Sequence, residues 1–140
     1  MILRLVLAMV FGGAIGYIRE IKKKAAGLRT HTLVCLGAAL FTIVSIEMVR
    51  GVGGADPSRI AASVVTGIGF IGAGTIFQSG NSVRGLTTAA SIWVCAAIGL
   101  AVGSGLYYIS TVATVLSIIV IQLLQMVEHK YLRENEREGL

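Results

Sequence analysis

The sequence predicts an all-α protein, a polytopic membrane helix bundle of about five transmembrane helices. Of its 140 residues, 55% are hydrophobic and only 14% are charged, and the mean hydropathy is +0.83. A soluble domain averages about 45–50% apolar and about 25% charged residues. The apolar residues also fall into stretches near the roughly 17–25 residues that cross a bilayer, and Lys and Arg collect in alternate connections.

Five apolar stretches form one predicted transmembrane domain, residues 1–127, and a short polar cytoplasmic tail follows at residues 128–140. The first stretch is not typical of a cleaved signal peptide, because its basic residues follow the apolar run instead of preceding it. The stretches are Ile2–Ile18, Thr32–Val49, Ile60–Phe77, Ala89–Gly103 with its flanks, and Leu106–Val127.

The positions of Lys and Arg predict the orientation in the membrane. With five spans, nine of the 12 basic residues fall on the side of the first loop, the third loop and the tail. Such residues favour the cytoplasmic side, so we expect the N-terminus outside and the C-terminus in the cytoplasm of a bacterial inner membrane. The net charge of +5 is then a topology signal, and Lys22–Lys24 can contact acidic membrane lipids. No nucleic-acid partner is expected, because aromatic residues do not interleave with the basic ones.

Helix boundaries follow from capping residues. We expect helix 1 to continue to a stop at Gly27, helix 2 to begin near Thr30, and helix 3 to begin with Asp56 as N-cap and Pro57 at its first position. Residues 78–85 are predicted to form a turn, and helix 4 is predicted to start near Thr87 or Thr88. Gly27-Leu28 recurs as Gly85-Leu86, which suggests a duplicated helical hairpin.

The stretch TGIGFIGAGTIF, Thr66–Phe77, contains the pattern G-x-G-x-x-G of dinucleotide-binding turns. That motif requires a preceding strand and an acidic residue about 20 positions later. Here an uninterrupted apolar span precedes it, and no Asp or Glu lies between Asp56 and Glu128. The context therefore argues against a nucleotide site.

The glycines are better explained by close helix packing. On helix 3, Ile60 and Val64 share one side of the helical wheel, while Thr66 and Gly69 share another. Helices in lipid associate through close contact, which small residues permit. We therefore expect a four-helix core with helix 3 at its centre, helix 5 outside it, and a homo-oligomer such as a dimer. The packing residues are Gly12, Gly16, Ser63, Thr66, Gly67, Gly69, Ala73, Gly74, Gly99 and Gly103.

The same density of glycines is also compatible with a broken helix that lines a substrate path. The two interpretations stay open at this point. They differ in whether helix 3 is continuous.

Polar residues cluster at the predicted cytoplasmic edge. Helices 2 and 4 both begin there, and helix N-termini favour anions. The anion is either Glu20 within an interfacial ion-pair network or an external lipid phosphate or partner carboxylate. One histidine of the cluster is either a packing residue or a pH sensor. The cluster comprises Arg19, Glu20, Arg29, Thr30, His31, Arg84, Thr87 and Thr88.

A smaller polar group lies at the outer edge, formed by Glu47, Asp56 and Arg59. Its carboxylates could bind a divalent cation weakly. Capping by Asp56 and pairing with Arg59 explain the same residues more simply, so we predict no metal site.

Catalytic residues and cofactors are not predicted. The serines and cysteines lack a histidine–carboxylate partnership, and the only histidines are His31 and His129. Cys35 and Cys95 both fall inside predicted spans, where we expect them to pack. We therefore expect the protein not to be an enzyme.

Three ordered segments resemble the MgtC/SapB family of bacterial inner-membrane proteins. They are AGLRTHTLVCLGAALFT, DPSRIAASVVTGIGFIGAGTIF and VRGLTTAASIWVCAAIGLAVGSGLY, and the resemblance covers about Leu5 to Tyr108. It implies a multi-span domain of roughly five helices. It also implies links to magnesium limitation, to virulence inside macrophages and to control of the membrane ATP synthase, which is thus a candidate partner.

Two features depart from that family. Members often carry Gly-Leu-Glu-Arg-Glu at the end of helix 1, whereas this chain has Gly-Tyr-Ile-Arg-Glu at residues 16–20 and so lacks one acidic side chain. Some members carry a C-terminal soluble domain, and we expect this chain to be a short form without one.

The resulting functional hypothesis is a non-enzymatic regulator that binds itself or other membrane proteins through helix–helix contacts. The alternative is a small transporter or channel for Mg²⁺, K⁺, H⁺ or a small solute. Ion pathways usually contain ionisable groups within the membrane, and the acidic residues of this chain lie at span ends or in the tail.

Overall fold

The structure of the chain, a computed structural model, describes residues 1–51 and 53–138, with side chains up to residue 123. This part of the chain contains five α-helices and one two-stranded antiparallel sheet. The predicted all-α bundle is confirmed, with the short hairpin as an addition. In chain order the elements are α1 (Ile2–Ile21), α2 (Leu28–Met48), α3 (Ser58–Ala73), β1 (Phe77–Ser79), β2 (Ser82–Arg84), α4 (Leu86–Gly103) and α5 (Tyr107–Glu138).

Three helices, α1, α2 and α4, are long and apolar enough to cross a membrane. The 16 residues of α3 extend only about 24 Å at 1.5 Å per residue, less than a hydrocarbon core of about 30 Å. Among the residues whose side chains are described, the apolar part of α5 covers Tyr107–Leu123. Large apolar side chains cover the outside of the bundle, with Phe70 85% exposed and Leu33 67% exposed. The number of spans and their orientation stay predictions.

Helix α1 packs closely on α2 through its glycines. A Cβ atom placed on Gly12 would lie 2.6 Å from the carbonyl oxygen of His31. A Cβ atom on Gly16 would lie 2.8 Å from the Cα atom of Leu28. Real Cβ atoms do not approach other atoms so closely, so only glycine allows this separation of the two helix axes.

Helix α4 packs on α2 by the same device. A Cβ atom on Gly103 would lie 2.6 Å from the carbonyl oxygen of Ala39, and one on Gly99 would lie 2.9 Å from the Cβ atom of Ala38. The central helix is therefore α2, between α1 and α4. The expectation that helix 3 is central is wrong, because the glycines that permit the closest contacts belong to α1 and α4.

An apolar core fills the space between α1, α2 and α4. Both cysteines are completely buried in it, which confirms the prediction that they pack. The buried members of this core are Ala8, Ile15, Cys35, Ala39, Cys95, Ile98 and Val102.

Helix α3 lies at the edge of the bundle, against α4 and α2. Its buried residues are Ile68 and Gly72, one helical turn apart. Ile68 packs with Ile92 and Ala96, and a Cβ atom on Gly72 would lie 3.6 Å from the Cβ atom of Ala89. The small face predicted to build the core is instead exposed in the single chain, at Ser63, Thr66, Gly67, Gly69, Ala73 and Gly74. The wheel identified the small face correctly but could not show which neighbour α3 meets.

The connection between α1 and α2 differs from the prediction. Helix α1 ends at Ile21, before Gly27, and Lys23 adopts a left-handed conformation with φ of 51°. The backbone N–H of Lys24 donates to the carbonyl of Arg19 at 3.1 Å, a bond typical of a helix C-terminus. Helix α2 begins at Leu28, so Thr30 lies inside its first turn and is not its N-cap.

The connection between α3 and α4 contains the hairpin β1–β2 where a turn was predicted. Ser79 pairs with Ser82 across a tight turn in which Gly80 has φ of 59°. Gly85 then precedes α4 with φ of 91° and lies against the backbone of Thr75. The hairpin therefore brings Arg84 directly to the N-terminus of α4.

Helix α3 starts at Ser58. The predicted start was Pro57, with Asp56 as N-cap, so the helix begins one residue later than predicted. The carboxylate of Asp56 still accepts a hydrogen bond from the Ser58 N–H at 2.8 Å, as a capping side chain does. Hydrogen bonds from the Ser58 hydroxyl and N–H hold the pKa of Asp56 below its ordinary value.

Helix α5 contacts α4 and α1 and lies outside the α1–α2–α4 core. Its backbone continues as one helix past residue 127 to Glu138. The division into a domain of residues 1–127 and a tail of residues 128–140 stays a prediction.

Candidate functional site

One end of the bundle, which we call the basic end, holds the close of α1 and the starts of α2 and α4. Arg19, in the last turn of α1, is only 1% exposed. Its Nη2 donates to Oγ1 of Thr88 at 2.6 Å, and its Nε donates to the carbonyl of Ala26 at 3.3 Å. Arg19 therefore joins α1 to the first turn of α4.

The third nitrogen of the Arg19 guanidinium, Nη1, is buried and has no hydrogen-bond partner among the described residues. The same part of the chain offers Arg19 no ion pair. Arginine keeps its charge in proteins, and a buried charge is costly unless it is paired. The ion-pair network expected at this edge is thus not formed around Arg19 by the described side chains.

Glu20, next in sequence to Arg19, contacts the N-terminus of α2. Its carboxylate is exposed and accepts a hydrogen bond from the backbone N–H of Leu28 at 2.9 Å. A Cβ atom on Gly27 would collide with this carboxylate, so glycine is required beside it. Glu20 therefore caps α2 by a hydrogen bond to its backbone, where the sequence analysis had offered it as the anion of an ion-pair network.

His31 is completely buried near Arg19. Its Nδ1 lies 2.9 Å from the Gly27 carbonyl, which only accepts, so Nδ1 carries a proton and donates it. Its Nε2 lies 3.0 Å from the hydroxyl of Ser91 on α4, and its own carbonyl accepts from the Cys95 thiol at 3.2 Å. His31 therefore connects α2 to α4.

A cavity of about 670 Å³ opens at the basic end, and we call it the basic-end cavity. Three cationic residues, Arg19, Lys24 and Arg84, form part of its wall. Thr87 and Thr88, in the first turn of α4, form another part. Apolar side chains complete the wall, at Val83, Leu86, Val120 and Ile121.

The structure thus brings together four of the predicted cluster residues, Arg19, Arg84, Thr87 and Thr88, around the cavity. Arg29 is exposed on α2 and Thr30 is half-buried, and neither lines the cavity. The sequence missed Ser91, the partner of His31, and Lys24, which it had assigned to lipid contact.

The outer-edge residues are engaged in local contacts. Glu47 pairs with Arg50 at 3.1 Å on the surface, and Asp56 accepts from the Ser58 N–H. Arg59 is exposed. Among the residues described, no three His, Cys, Asp or Glu side chains come together to hold a metal ion.

Arg4 is a further residue that sequence reasoning missed. Its Nη1 donates to the carbonyl of Gly103 at 2.7 Å, so a cation meets the C-terminal end of α4. A signal was available, because Arg4, Ala8, Gly12 and Gly16 recur every four residues and share one face of α1.

A second feature is an apolar groove of about 470 Å³ between α2 and α3, which we call the α2–α3 groove. Its wall includes Leu33, Gly37 and Phe41 from α2 and Gly67 and Ile71 from α3. The groove therefore lies beside the exposed small face of α3.

Known proteins resemble the chain over nearly all of its length. The "Putative magnesium transporter YhiD" of Escherichia coli (strain K12) is 47% identical over 139 residues, which are 96% of this chain and 65% of that protein. "Protein MgtC" of Brucella abortus (strain 2308) is 49% identical over 118 residues, which are 84% of this chain and 48% of that protein. An uncharacterized protein of Haemophilus influenzae is 39% identical over 141 residues, covering 96% of this chain and 59% of that protein.

The chain therefore spans about half to two thirds of the length of these curated relatives. No solved structure was found to match it. A family model, that of the MgtC family, matches residues 5–130. The matched range includes the glycine contacts of α1, α2 and α4 and every residue named at the basic-end cavity. The chain belongs to the MgtC family.

Proposed function

We propose that this MgtC-family protein is a non-enzymatic regulator in the bacterial inner membrane and acts through helix–helix contacts of α3. The partner helix belongs to a second copy of the chain or to another membrane protein. The observation that carries the proposal is the exposed small face of α3. No atom of the described residues outside α3 lies within 4 Å of a Cβ atom placed on Gly67 or on Gly69.

Helices in lipid associate without a strong hydrophobic driving force between them. Lipid tails are as apolar as leucine, so a helix gains association energy mainly from close contact and interhelical hydrogen bonds. In the described bundle, the glycines of α1 and α4 that face α2 are used in this way. The face of α3 with Thr66, Gly67 and Gly69 also consists of small residues, and no helix of the described chain packs against it. A further helix resting there would gain the contact that lipid does not provide.

The α2–α3 groove extends the same surface. Its wall is almost wholly apolar, and Gly37 and Gly67 leave space for another side chain to enter. We propose that bulky residues of the partner helix occupy the groove while its backbone rests on the small face of α3.

The physiological setting is drawn from relatives. One relative is named "Putative magnesium transporter YhiD" and another "Protein MgtC", so we propose a role in magnesium limitation for this chain. The resemblance noted from the sequence adds virulence and the membrane ATP synthase as a candidate partner.

Self-association can be tested by Förster transfer between labelled copies in liposomes. Replacing Gly69 with Leu fills the exposed face, and we expect at least a tenfold loss of association. Thr111→Leu is the control, because Thr111 is exposed on α5, which packs against α4 and α1, and it should leave association unchanged.

If the parent chain shows no self-association, the proposal requires that the partner helix belongs to another protein. In that case a photo-crosslinking residue at position 66 should capture one membrane protein in cells, and the same residue at position 111 should not. If neither experiment gives a contact specific to α3, the proposal is wrong.

The second candidate is transport of an ion, and the printed name of one relative favours it. A liposome flux assay for Mg²⁺, K⁺ and H⁺ separates the two. Flux that depends on the protein and stops in Gly67→Leu would replace the regulator proposal with the transporter.

A further inference from the structure

The N-termini of α2 and α4 lie at the same end of the bundle, but only the first turn of α2 is capped by a carboxylate. The first turn of α2 receives the carboxylate of Glu20 at Leu28. The first turn of α4 follows Gly85, which offers no capping side chain, and it contains no acidic residue. The two helices start at residues 28 and 86, 58 positions apart, and the position 58 residues after Glu20 is Gln78. Gln78 instead donates to the Gly80 carbonyl within the hairpin.

The second observation is the unpaired nitrogen of Arg19. The side chain is 1% exposed, it forms part of the wall of the basic-end cavity, and its Nη1 has no partner in the described chain. A buried arginine cannot reduce its cost by losing a proton. An anion in the cavity would supply both the missing hydrogen bond and the missing charge.

Two further cations stand at the cavity, Lys24 after α1 and Arg84 at the end of β2. No carboxylate is among the described residues of its wall. Cations of the same sign repel each other, so a wall of this kind is stabilised by a shared anion. The N–H groups at the start of α4 receive no capping side chain from the described residues, and they add donors and a favourable dipole.

From this geometry we infer that the basic-end cavity is a binding site for a phosphate group. A phosphate has several oxygens and thus can accept from the Arg19 Nη1 and from the first turn of α4 at the same time. It can also contact Lys24 and Arg84. A carboxylate has two oxygens in one plane, whereas even the phosphodiester of a lipid has four oxygens arranged tetrahedrally, so a carboxylate would leave part of this donor set unused.

The phosphate has two possible sources, a lipid head group and a free phosphate ion. The apolar residues Val120 and Ile121 border the cavity, as the acyl chains of a lipid would require. The site does not depend on the proposed contact of α3, which lies on another face of the bundle.

The test uses the full chain in a mild detergent at physiological salt. Binding of phosphatidylglycerol is measured by native mass spectrometry, with diacylglycerol as the lipid that lacks a phosphate. Inorganic phosphate, and acetate at the same concentration, are then added as competitors. The variants are Arg84→Gln, which changes the cavity, and Arg29→Gln, which removes an equal charge from the same end of the bundle outside it.

We expect phosphatidylglycerol to bind and diacylglycerol not to bind, with at least a tenfold loss in Arg84→Gln and less than a twofold change in Arg29→Gln. Displacement of the lipid by inorganic phosphate would identify a free ion as a ligand of the site. Lipid retained against inorganic phosphate would identify the head group.

Equal losses in Arg84→Gln and Arg29→Gln would show general charge attraction and overturn the proposal. Acetate that competes as well as inorganic phosphate would overturn it in favour of a carboxylate. Arg19→Lys is the direct variant of the buried group. Its folding is checked by thermal unfolding, and a folded Arg19→Lys protein that binds phosphatidylglycerol as tightly as the parent would also contradict the proposal.

Discussion

The Nη2 atom of Arg19 donates a hydrogen bond of 2.6 Å to the Oγ1 atom of Thr88, which lies 69 residues later in the chain. This bond fixes the end of α1 against the start of α4. Nε and Nη2 of the guanidinium are thus satisfied by the protein, and Nη1 has no partner among the described residues.

The first prediction concerns this bond. Thr88→Val keeps the shape of the side chain but removes the acceptor, so a second buried N–H of Arg19 loses its partner. Leaving such a group unsatisfied costs about 1–3 kcal/mol. We expect the free energy of unfolding in detergent to fall by that amount. The control is Thr87→Val at the exposed neighbour, and an equal loss there would contradict the role of Thr88.

The second prediction separates the two sets of glycines. Gly99→Ala places a methyl group against α2, 2.9 Å from the Ala38 Cβ atom, and overpacking of this kind typically costs about 1–3 kcal/mol. Gly69→Ala meets open space, and alanine favours a helix over glycine by about 1 kcal/mol. Thermal unfolding should therefore show Gly99→Ala destabilised and Gly69→Ala not. Destabilisation of both variants to the same extent would place Gly69 in the core.

The third prediction concerns the cap of α2. Glu20→Ala removes the acceptor of the Leu28 N–H, and loss of a capping side chain typically costs about 0.5–2 kcal/mol. We expect faster hydrogen exchange at the amide of Leu28 together with lower stability. Glu47→Ala, which breaks only a surface pair with Arg50, should cost no more than about 1 kcal/mol. If exchange at Leu28 does not change, Glu20 does not cap α2.

The fourth prediction is a pH effect at the start of α3. Hydrogen bonds from Ser58, first from its hydroxyl and then from its N–H, lower the pKa of Asp56 below 3.8. A carboxyl group whose pKa is lower in the folded state stabilises that state above its unfolded pKa. The contribution is lost as the pH falls through the folded pKa. NMR titration of Asp56 should give a midpoint below 3.8, with faster amide exchange at Ser58 over the same acid range. In Asp56→Asn this acid-dependent change should be absent, and a midpoint above the ordinary value would contradict the bond.

The sequence was sufficient to predict the helical class and the glycines that face α2. Gly12 and Gly16 repeat every four residues, as do Gly99 and Gly103, and helical geometry places each pair on one face. It was not sufficient to identify the central helix. Which face of α3 meets α4 depends on Ala89, Ile92 and Ala96 across the contact, and a helical wheel contains no information about a neighbour.

The sequence predicted which residues belong to the candidate site but not which of them form hydrogen bonds with each other. Arg19 and Glu20 are adjacent in sequence and opposite in charge, yet they project from α1 about 100° apart. One therefore reaches α4 and the other reaches α2. Local turns were the least predictable feature, because the left-handed conformation of Lys23 ends α1 without the glycine that usually marks such a stop.

The contact between His31 and Ser91 has a consequence for biogenesis. Within the α1–α2 hairpin, the imidazole already has one partner, the Gly27 carbonyl, but its second partner is synthesised 60 residues later. At roughly 5–20 residues per second, translation takes about 3–12 s to reach it. During this interval Nε2 of His31 has no side-chain partner on the side of α2 that α4 will cover. When α4 packs against the α1–α2 hairpin, only the native register brings the Ser91 hydroxyl to this nitrogen. The hydrogen bond therefore favours the native register of α4 over a shifted one.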